Sequence, residues 1–348
     1  MKGWSSRAGV NHGMEMVGWT PTGWVRGLEK SANPSNSPSP GKGTCIPCVV
    51  KKEIPTTWNE IRISKDSKSE KSGFFEYPDL PTLIVISLEY FKLLTDKEHM
   101  QHSCGYYANG ATTYAESQVE KLKLIASKLQ LKPGMTLLDV GCGFGGLAKF
   151  MADKFGVTVE GVTVCDSMAK QAQNHCRGSK VTIKNQHWRR MEGKFDRIAI
   201  IEMMEHVGKQ NWDEFFTIIQ SLLKPGGRIL LQHYAVDPGI PHFFEFPCKY
   251  HFGQVYFGGL DEFVAYSTRY FHIANVQDFT LDAEICAKHF IEMIDDNREE
   301  MEALVGPKLV RALRVTYATA LAGSKSKGLK IYQTVLVGKD DRNRVPVE

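Results

Sequence analysis

The 348-residue chain has no apolar run of about 18 residues, the length that a membrane-spanning helix needs. Its longest candidate, LPTLIVISL at residues 80–88, is half that length and is typical of a buried strand or the start of a helix. The chain also lacks a strong net charge, since 43 Lys and Arg against 39 Asp and Glu give +4. So small a charge argues against nucleic acid as a partner, and it leaves open peripheral contact with an anionic membrane surface.

A second Cys-x-x-Cys pair is missing as well. Cys45 and Cys48 have the spacing of metal ligands, but a structural zinc site needs four ligands, so we predict no metal. The eight cysteines are scattered along the chain, and we find no secretory signal pattern. We therefore expect free thiols in a reducing compartment and a cytoplasmic protein.

Residues 1–75 lack a sustained hydrophobic period. They contain SANPSNSPSPGKG and KDSKSEKSG, which cannot bury enough apolar surface to fold, so we predict a disordered tail. The first fifty residues are poor in acids and contain Arg, Lys and Ser, which leaves an organelle transit peptide as an alternative. Their many Gly and Pro residues argue against the amphipathic helix that such a peptide forms.

From residue 113 onward, predicted strands and helices alternate. The helical period of AESQVEKLKLIASKLQ ends at the turn LKPGM, and the strand TLLDVG is followed by the helix GGLAKFMADKFG. Further strands are predicted at VTVEGVTV, VTIKNQ, FDRIAIIEM, RILLQHY and finally KIYQTVLVGK. This order predicts a doubly wound α/β protein with a mostly parallel sheet that helices cover on both faces. Residues 237–275 break the rhythm with aromatic clusters, and we interpret them as a lid or insertion.

The stretch DVGCGFGG, residues 139–146, places four glycines between a predicted strand and a predicted helix. Glycines here let backbone N–H groups face a ligand at the carboxyl end of a parallel sheet. The spacing differs from the G-x-G-x-x-G pattern of dinucleotide sites. Asp139, two residues before Gly141, instead suits a cationic ligand that carries an amine. A tight turn without a ligand is the alternative interpretation.

Several motifs together resemble a known family. DVGCGFGG, the GVT at 161–163 and the IEMMEHVG at 201–208 resemble class I S-adenosylmethionine-dependent methyltransferases. DKEHMQHSCGYY at 96–107 is similar to a segment of the cyclopropane-fatty-acyl-phospholipid synthase family. The resemblance implies a seven-stranded sheet that binds S-adenosylmethionine at its carboxyl edge. It also implies a cofactor-covering segment at 76–112 and a methyltransferase domain at 113–340.

By motif position, the resemblance implies a set of cofactor-binding residues. An acid and the glycine loop would hold the methionine part, and the preceding segment would close over the cofactor. A threonine after the second strand would approach the ribose, and two residues after the third strand would flank the adenine; for the tryptophan among them, a role in the core is the alternative. The residues are His102, Ser103, Asp139, Gly141, Cys142, Gly143, Thr163, His187 and Trp188.

The same resemblance implies acid/base chemistry at the end of the fourth strand. In the synthases, a Glu and a Cys help to hold a bicarbonate that takes the departing proton, and Glu205 and Cys142 match them. Gln232 stands where the synthases have a His, and strand alternation would turn the following His233 to the other face. The predicted catalytic set is Glu205, Cys142, His206, Glu202 and His233.

These departures from the family leave the substrate open. The first hypothesis is a methyltransferase that acts on a phospholipid acyl chain. The second is an N-methyltransferase of a small amine, because residues 202–206 (EMMEH) and the Gln-His pair at 232–233 resemble coclaurine N-methyltransferases. The third is a member that binds S-adenosylmethionine or lipid without turnover. Residues 307–338 carry basic residues and no acid, which suits an anionic lipid surface or an ordinary solvated face.

Overall fold

The computed structural model describes residues 88–237, 245–252 and 255–339 of the chain. The predicted tail at 1–75, with Cys45 and Cys48, lies outside the described residues, as does the apolar run at 80–88 except for its last residue. The cysteines that the structure describes are free thiols, as predicted. In these described ranges, no helix is both long enough and apolar enough to cross a membrane.

The described chain contains nine α-helices of five or more residues, seven strands and several other short helical segments. The helices are α1 Leu88–Lys92, α2 Tyr114–Leu129, α3 Gly146–Phe155, α4 Asp166–His175, α5 Trp212–Leu222, α6 Leu260–Ser267, α7 Thr280–Asp296, α8 Arg298–Val305 and α9 Pro307–Lys325. The strands are β1 Thr136–Val140, β2 Thr158–Thr163, β3 Val181–Asn185, β4 Phe195–Ile201, β5 Leu223–Val236, β6 Phe271–Asp278 and β7 Leu329–Gly338. The short turns are Trp188–Arg190, Met204–His206, Lys209–Asn211, Glu245–Pro247 and Cys248–Phe252.

The strands form one sheet in the order β3-β2-β1-β4-β5-β7-β6. The first five strands of this order run parallel, and β7 runs antiparallel to both of its neighbours. Leu137, Leu138 and Val140 on β1 are all fully buried, as expected of a central parallel strand that helices cover on both faces. The doubly wound, mostly parallel, seven-stranded sheet is therefore confirmed.

Helix α2 forms where the helical period predicted it. Thr113 accepts a hydrogen bond from the backbone N–H of Glu116, and the Glu116 carboxylate accepts one from the backbone of Thr113, so the helix starts with a capping box. It ends where Gln130 takes the left-handed conformation. One face of α2 packs Leu122, Ile125 and Leu129 into the core beneath β1.

The interpretation of residues 237–275 as a lid or insertion is wrong for its second half. Residues 260–267 form α6 and residues 271–278 form β6, which pairs with β7, so this part of the chain is another unit of the sheet. The aromatic residues that hid the pattern belong to the core: Phe263 and Phe271 are almost fully buried and pack edge-on against Phe216 of α5.

Candidate active site

The glycine loop connects β1 to α3 at the carboxyl edge of the sheet. Gly143 has φ +52°, which side-chain-bearing residues rarely adopt, and a Cβ at this position would project into open space among the described residues. Gly146 is the first residue of α3, and it lies against residues 99–101. A Cβ at this position would lie 1.6 Å from the carbonyl oxygen of His99. The loop thus faces a cavity on one side and is pressed against residues 99–101 on the other.

A cavity of about 290 Å³ opens at this loop, near the lower end of the range for small-molecule sites. Its wall contains most of the predicted cofactor residues and three of the predicted catalytic residues, because Cys142 was predicted in both roles. These are His102, Ser103, Asp139, Gly141, Cys142, Gly143, Thr163, Glu202 and His206. Residues from four separate parts of the chain therefore meet where the sequence predicted a ligand site.

Among the polar groups of this wall, the Asp139 carboxylate is the strongest candidate for binding a ligand. Its carboxyl group is 2% exposed, and its Oδ2 atom has no hydrogen-bond partner among the described residues. Burial raises the pKa of this carboxyl to about 7, and the nearby charge of Lys121 opposes the rise. An unpaired buried carboxylate beside a glycine loop fits the amino group of a cationic ligand, which supports the chemistry predicted for Asp139.

His187 and Trp188 do not belong to the cavity wall. Trp188 packs edge-on against Phe215 at a ring-centroid distance of 5.3 Å, and the Arg189 guanidinium lies over its indole at 4.2 Å. His187 accepts a hydrogen bond from the backbone N–H of Arg189. The alternative of a core tryptophan matches this packing, and the assignment of both residues to an adenine stays a prediction.

The two glutamates after β4 have different surroundings. Glu202 has a left-handed backbone with φ +50°, and its Oε1 atom accepts hydrogen bonds from the Cys104 backbone N–H and the Gln232 amide, both at 2.8 Å. Glu205 is 5% exposed, and its Oε1 atom accepts a hydrogen bond of 2.6 Å from the Tyr234 backbone N–H. Glu202 therefore ties three segments together, whereas Glu205 keeps one oxygen, Oε2, without a partner in the described part of the chain.

Burial raises the pKa of the Glu205 carboxyl to about 8, and the negative charge of Glu202 adds to the rise. A carboxyl group with such a pKa exchanges protons near neutral pH, which is the property that a general acid or base requires. Of the predicted catalytic residues, Glu205 is the one whose environment is most clearly tuned for proton transfer.

The residues on β5 alternate between the two faces of the sheet, as predicted. The Gln232 amide donates to Glu202 and to the Cys104 carbonyl, and its Oε1 accepts a hydrogen bond from Gln333, so all its polar groups are engaged. His233 points to the opposite face, where its ring stacks on Phe263 at 4.3 Å. It lines a small pocket with Glu205 and is absent from the wall of the glycine-loop cavity.

A second cavity of about 80 Å³ adjoins the first, because both contain Glu202, His206 and Phe252 in their walls. Glu205 lines this second cavity, and most of its remaining wall is apolar and comes from α7, α9 and the chain near β5. Its apolar members include Ala283, Ala287, Phe290, Ala320 and Leu329. The arrangement joins a polar cavity to an apolar one: Glu202, His206 and Phe252 lie in both walls, and Glu205 lies in the wall of the apolar cavity.

Sequence reasoning missed three residues of this site. Lys121 on α2 is fully buried and reaches Ser103, and His251 is buried in the cavity wall with both ring nitrogens unpaired within the described residues. Tyr317 forms a hydrogen bond of 3.1 Å with His102. Lys121 had a detectable signal, since it lies on the apolar face of a predicted helix, where an unpaired lysine would be costly. His251 and Tyr317 had none, because tertiary folding brings them to the site.

Solved structures share this fold. The cyclopropane synthase MmaA2 from Mycobacterium tuberculosis aligns with a TM-score of 0.69 and 22% identity over 73% of this chain and 95% of its own. Coclaurine N-methyltransferase bound to N-methylheliamine and SAH aligns with a TM-score of 0.64 and 20% identity, over 72% of this chain and 79% of its own. The chain therefore has the same α/β fold as these two structures.

The sequence pattern of the mycolic acid cyclopropane synthetase family matches residues 85–333, and the chain belongs to this family. The cyclopropane-fatty-acyl-phospholipid synthase of Escherichia coli is 48% identical over 132 residues, which are 38% of this chain and 34% of the relative. Cyclopropane mycolic acid synthase 3 of M. tuberculosis is 33% identical over 159 residues, 44% of this chain and 54% of the relative. The chain thus aligns with about a third to a half of the length of these relatives.

Proposed function

We propose that the protein is an S-adenosylmethionine-dependent methyltransferase that acts on an unsaturated acyl chain of a phospholipid. The observation that carries the proposal is the pair of adjoining cavities. The wall of the first contains Asp139, and the wall of the second is mostly apolar and contains Glu205; each of these carboxylates has one oxygen without a partner among the described residues. The relatives named as synthases of cyclopropane fatty acyl phospholipid and cyclopropane mycolic acid support the choice of a lipid chain.

The residues of the first cavity fit S-adenosylmethionine. Asp139 would take its amino group, Gly141 and Gly143 would let the ligand approach the backbone, and His102 and Ser103 would close the opposite wall. The cofactor, when bound, supplies an electrophilic methyl group on a sulfonium sulfur. The protein's part is then to hold this group against the acceptor and to exclude water.

For this reaction we divide the chain into a methyltransferase domain at 113–340 and a preceding segment at 76–112 that covers the cofactor. In the described part of that segment, the Cys104 backbone N–H donates to Glu202, and the Tyr107 backbone N–H donates to Asp282 on α7 at 2.6 Å. These two hydrogen bonds hold the segment across the carboxyl edge of the sheet. Its role is to shield the donor and the acceptor from solvent.

Glu205 is the proposed proton acceptor. When an alkene takes a methyl group, a cationic carbon results and a proton must leave. Glu205, whose Oε2 atom is unpaired among the described residues, lies in the wall of the apolar cavity. Because the pKa of this carboxyl is raised to about 8, its base form increases as the pH rises through 8 and is lost below it. His206, in the wall of both cavities, would orient the acceptor beside it.

The residues present do not fit a bicarbonate at this position. Cys142 lines only the glycine-loop cavity and Glu205 lines only the two smaller cavities, so the pair does not face a common space. Gln232, where the resemblance implies a His, has its amide fully engaged with protein partners. We therefore derive no step through bicarbonate.

The second candidate function is N-methylation of a small amine. Glu205 favours it, because a carboxylate with a pKa of about 8 is well matched to remove the proton of an ammonium group. The apolar lining of the second cavity fits the hydrocarbon part of such an amine as well as it fits an acyl chain. The two functions differ in where the substrate is found, in a bilayer or in solution.

Vesicle binding separates the two substrates. Lys308, Arg311 and the exposed Val315 share one face of α9, a helix that also lines the apolar cavity, while Arg314 is paired with Asp295 and is less available. Changing Lys308 and Arg311 to Glu should weaken binding to anionic phospholipid vesicles at least about 10-fold, at about 1 kcal/mol per basic residue near the surface. Co-sedimentation at low and high salt measures this, and lipid turnover should fall in parallel.

A charge-matched control reverses Lys154 and Lys180, which lie at the amino-terminal end of the sheet, away from both cavities. This control should bind vesicles like the wild type. If the wild type does not bind anionic vesicles at low salt and methylates a soluble amine, the lipid proposal is wrong and the second candidate replaces it.

A further inference from the structure

A buried lysine lies behind the wall of the glycine-loop cavity. Lys121 on α2 is fully buried among core residues, with its Nζ atom 2.5 Å from the Ser103 hydroxyl and 3.1 Å from the Gln101 Oε1 atom, and it donates a hydrogen bond to each. Ser103 and Gln101 both line the cavity, whereas Lys121 itself does not. The lysine therefore touches the residues that would touch a ligand.

The same segment is held from its other end. The Asp96 carboxylate accepts hydrogen bonds from the backbone N–H groups of His99 and Gln101, and the Ser103 carbonyl accepts one from the Gln118 amide at 2.9 Å. These contacts fix the backbone of residues 99–103 without help from Lys121. Lys121 in addition fixes the orientation of two side-chain groups, the Ser103 hydroxyl and the Gln101 amide.

The charge of Lys121 also acts on the buried acids of the site. Three ionisable groups interact electrostatically with Asp139: Lys121 from α2, Cys142 from the glycine loop and Cys176 at the end of α4. Burial raises the pKa of the Cys176 thiol to about 11 and that of Cys142 well above its usual value, so both are neutral near pH 7. Lys121 is the basic member of this group. Burial lowers the pKa of its ammonium, and Glu202, Cys104, Asp96 and Cys286 act against this fall and favour the cation.

We propose that Lys121 is a positioning residue of the cofactor site: its buried ammonium orients Ser103 and Gln101 on the cavity wall, and its positive charge favours the anionic form of Asp139 that an amino group requires. The proposal rests on the proposed function, since S-adenosylmethionine is the ligand to which it refers. If the lysine served the fold alone, its replacement would leave the affinity of the folded protein for the ligand unchanged.

The test compares the wild type with Lys121→Met by calorimetric titration with S-adenosylhomocysteine, which keeps the amino group of the cofactor. Methionine fills similar space without charge, and the unfolding temperature, measured beside the titration, separates a loss of stability from a loss of binding. We expect at least about 10-fold weaker binding at pH 7, since losing the cation raises the pKa of Asp139 above its value of about 7. Raising the pH to about 8.5 should reduce the difference in affinity between the wild type and the variant, because Asp139 then ionises in the variant also.

The matched control is Lys128→Met on the same helix. Lys128 is 3% exposed, and it donates a hydrogen bond of 2.7 Å to Gln333 instead of to a residue of the cavity wall. Its replacement should leave the affinity for S-adenosylhomocysteine and its pH dependence unchanged. Ser103→Ala should weaken binding by an amount that does not vary with pH. This variant therefore separates the orientation of Ser103 by Lys121 from the effect of the lysine charge on Asp139.

Each outcome decides one claim. Equal affinity and equal pH dependence for Lys121→Met and the wild type would show that the lysine serves only the fold. If Lys121→Met does not fold, the same titration of Lys121→Gln decides in the same way. A wild type that does not bind S-adenosylhomocysteine at any pH would instead overturn the proposed function, and this result is distinguishable because it does not involve the variant.

Discussion

Replacing Glu205 by Gln should lower turnover by about 100-fold or more and leave the affinity for S-adenosylhomocysteine nearly unchanged. The amide keeps the shape of the side chain and a group that can accept from the Tyr234 backbone N–H, but it cannot take a proton. The wild-type rate should rise as the pH increases through about 8, where the Glu205 carboxyl ionises, and the variant should lose this rise. Rate measurements across this pH range, beside calorimetry, test both statements.

The matched control for this variant is Glu192→Gln, an exposed carboxylate outside the walls of the described cavities. It removes the same charge and should leave the rate unchanged. If Glu205→Gln retained a rate within a few-fold of the wild type, Glu205 would have a structural role, and the group that takes the proton would lie elsewhere in the site.

Replacing Gly143 by Val should abolish measurable binding of S-adenosylhomocysteine, a loss of about 100-fold or more. The branched side chain would project into the cavity at the point where the ligand meets the backbone. A valine at this position would also have to adopt the φ of +52° that Gly143 has. This adds strain on the order of 1–3 kcal/mol and will lower the unfolding temperature. Calorimetry on the folded variant separates the loss of binding from the loss of stability.

Gly178→Val serves as the control for backbone strain. Gly178 has φ +89° and open space around its Cβ position among the described residues, but it lies in a turn outside the cavity. The two valine variants should therefore lose comparable stability, and Gly178→Val should bind S-adenosylhomocysteine normally. Unchanged binding by folded Gly143→Val would show that the glycine loop is a turn without a ligand.

The parts of this molecule that sequence predicted are those with local causes. The strand, glycine loop and helix around residues 136–155 follow from an apolar run, a set of residues that tolerate positive φ, and a helical period. The alternation along β5 likewise follows from local geometry, and it predicted that Gln232 and His233 face opposite sides.

The parts that sequence could not predict depend on contacts between distant segments. The Glu202 carboxylate joins Cys104, which is 98 residues away in sequence, to Gln232, the residue at the position where the resemblance implied a His. The strand β6 was hidden because its neighbours are aromatic residues whose burial depends on packing against α5. Lys121 could have been singled out as a lysine on an apolar face, but its hydrogen bond with Ser103 could not have been predicted.

The most direct test of the central claim is product analysis by mass spectrometry. The protein is incubated with methyl-labelled S-adenosylmethionine, anionic vesicles of an unsaturated phospholipid and a panel of small amines, with Glu205→Gln as the comparison. We predict that the label appears in the phospholipid acyl chain, which becomes heavier by one methylene group, and that the variant forms this product far more slowly. Label found only in an amine, or in no product at all, would contradict the proposal that this protein alkylates lipid acyl chains.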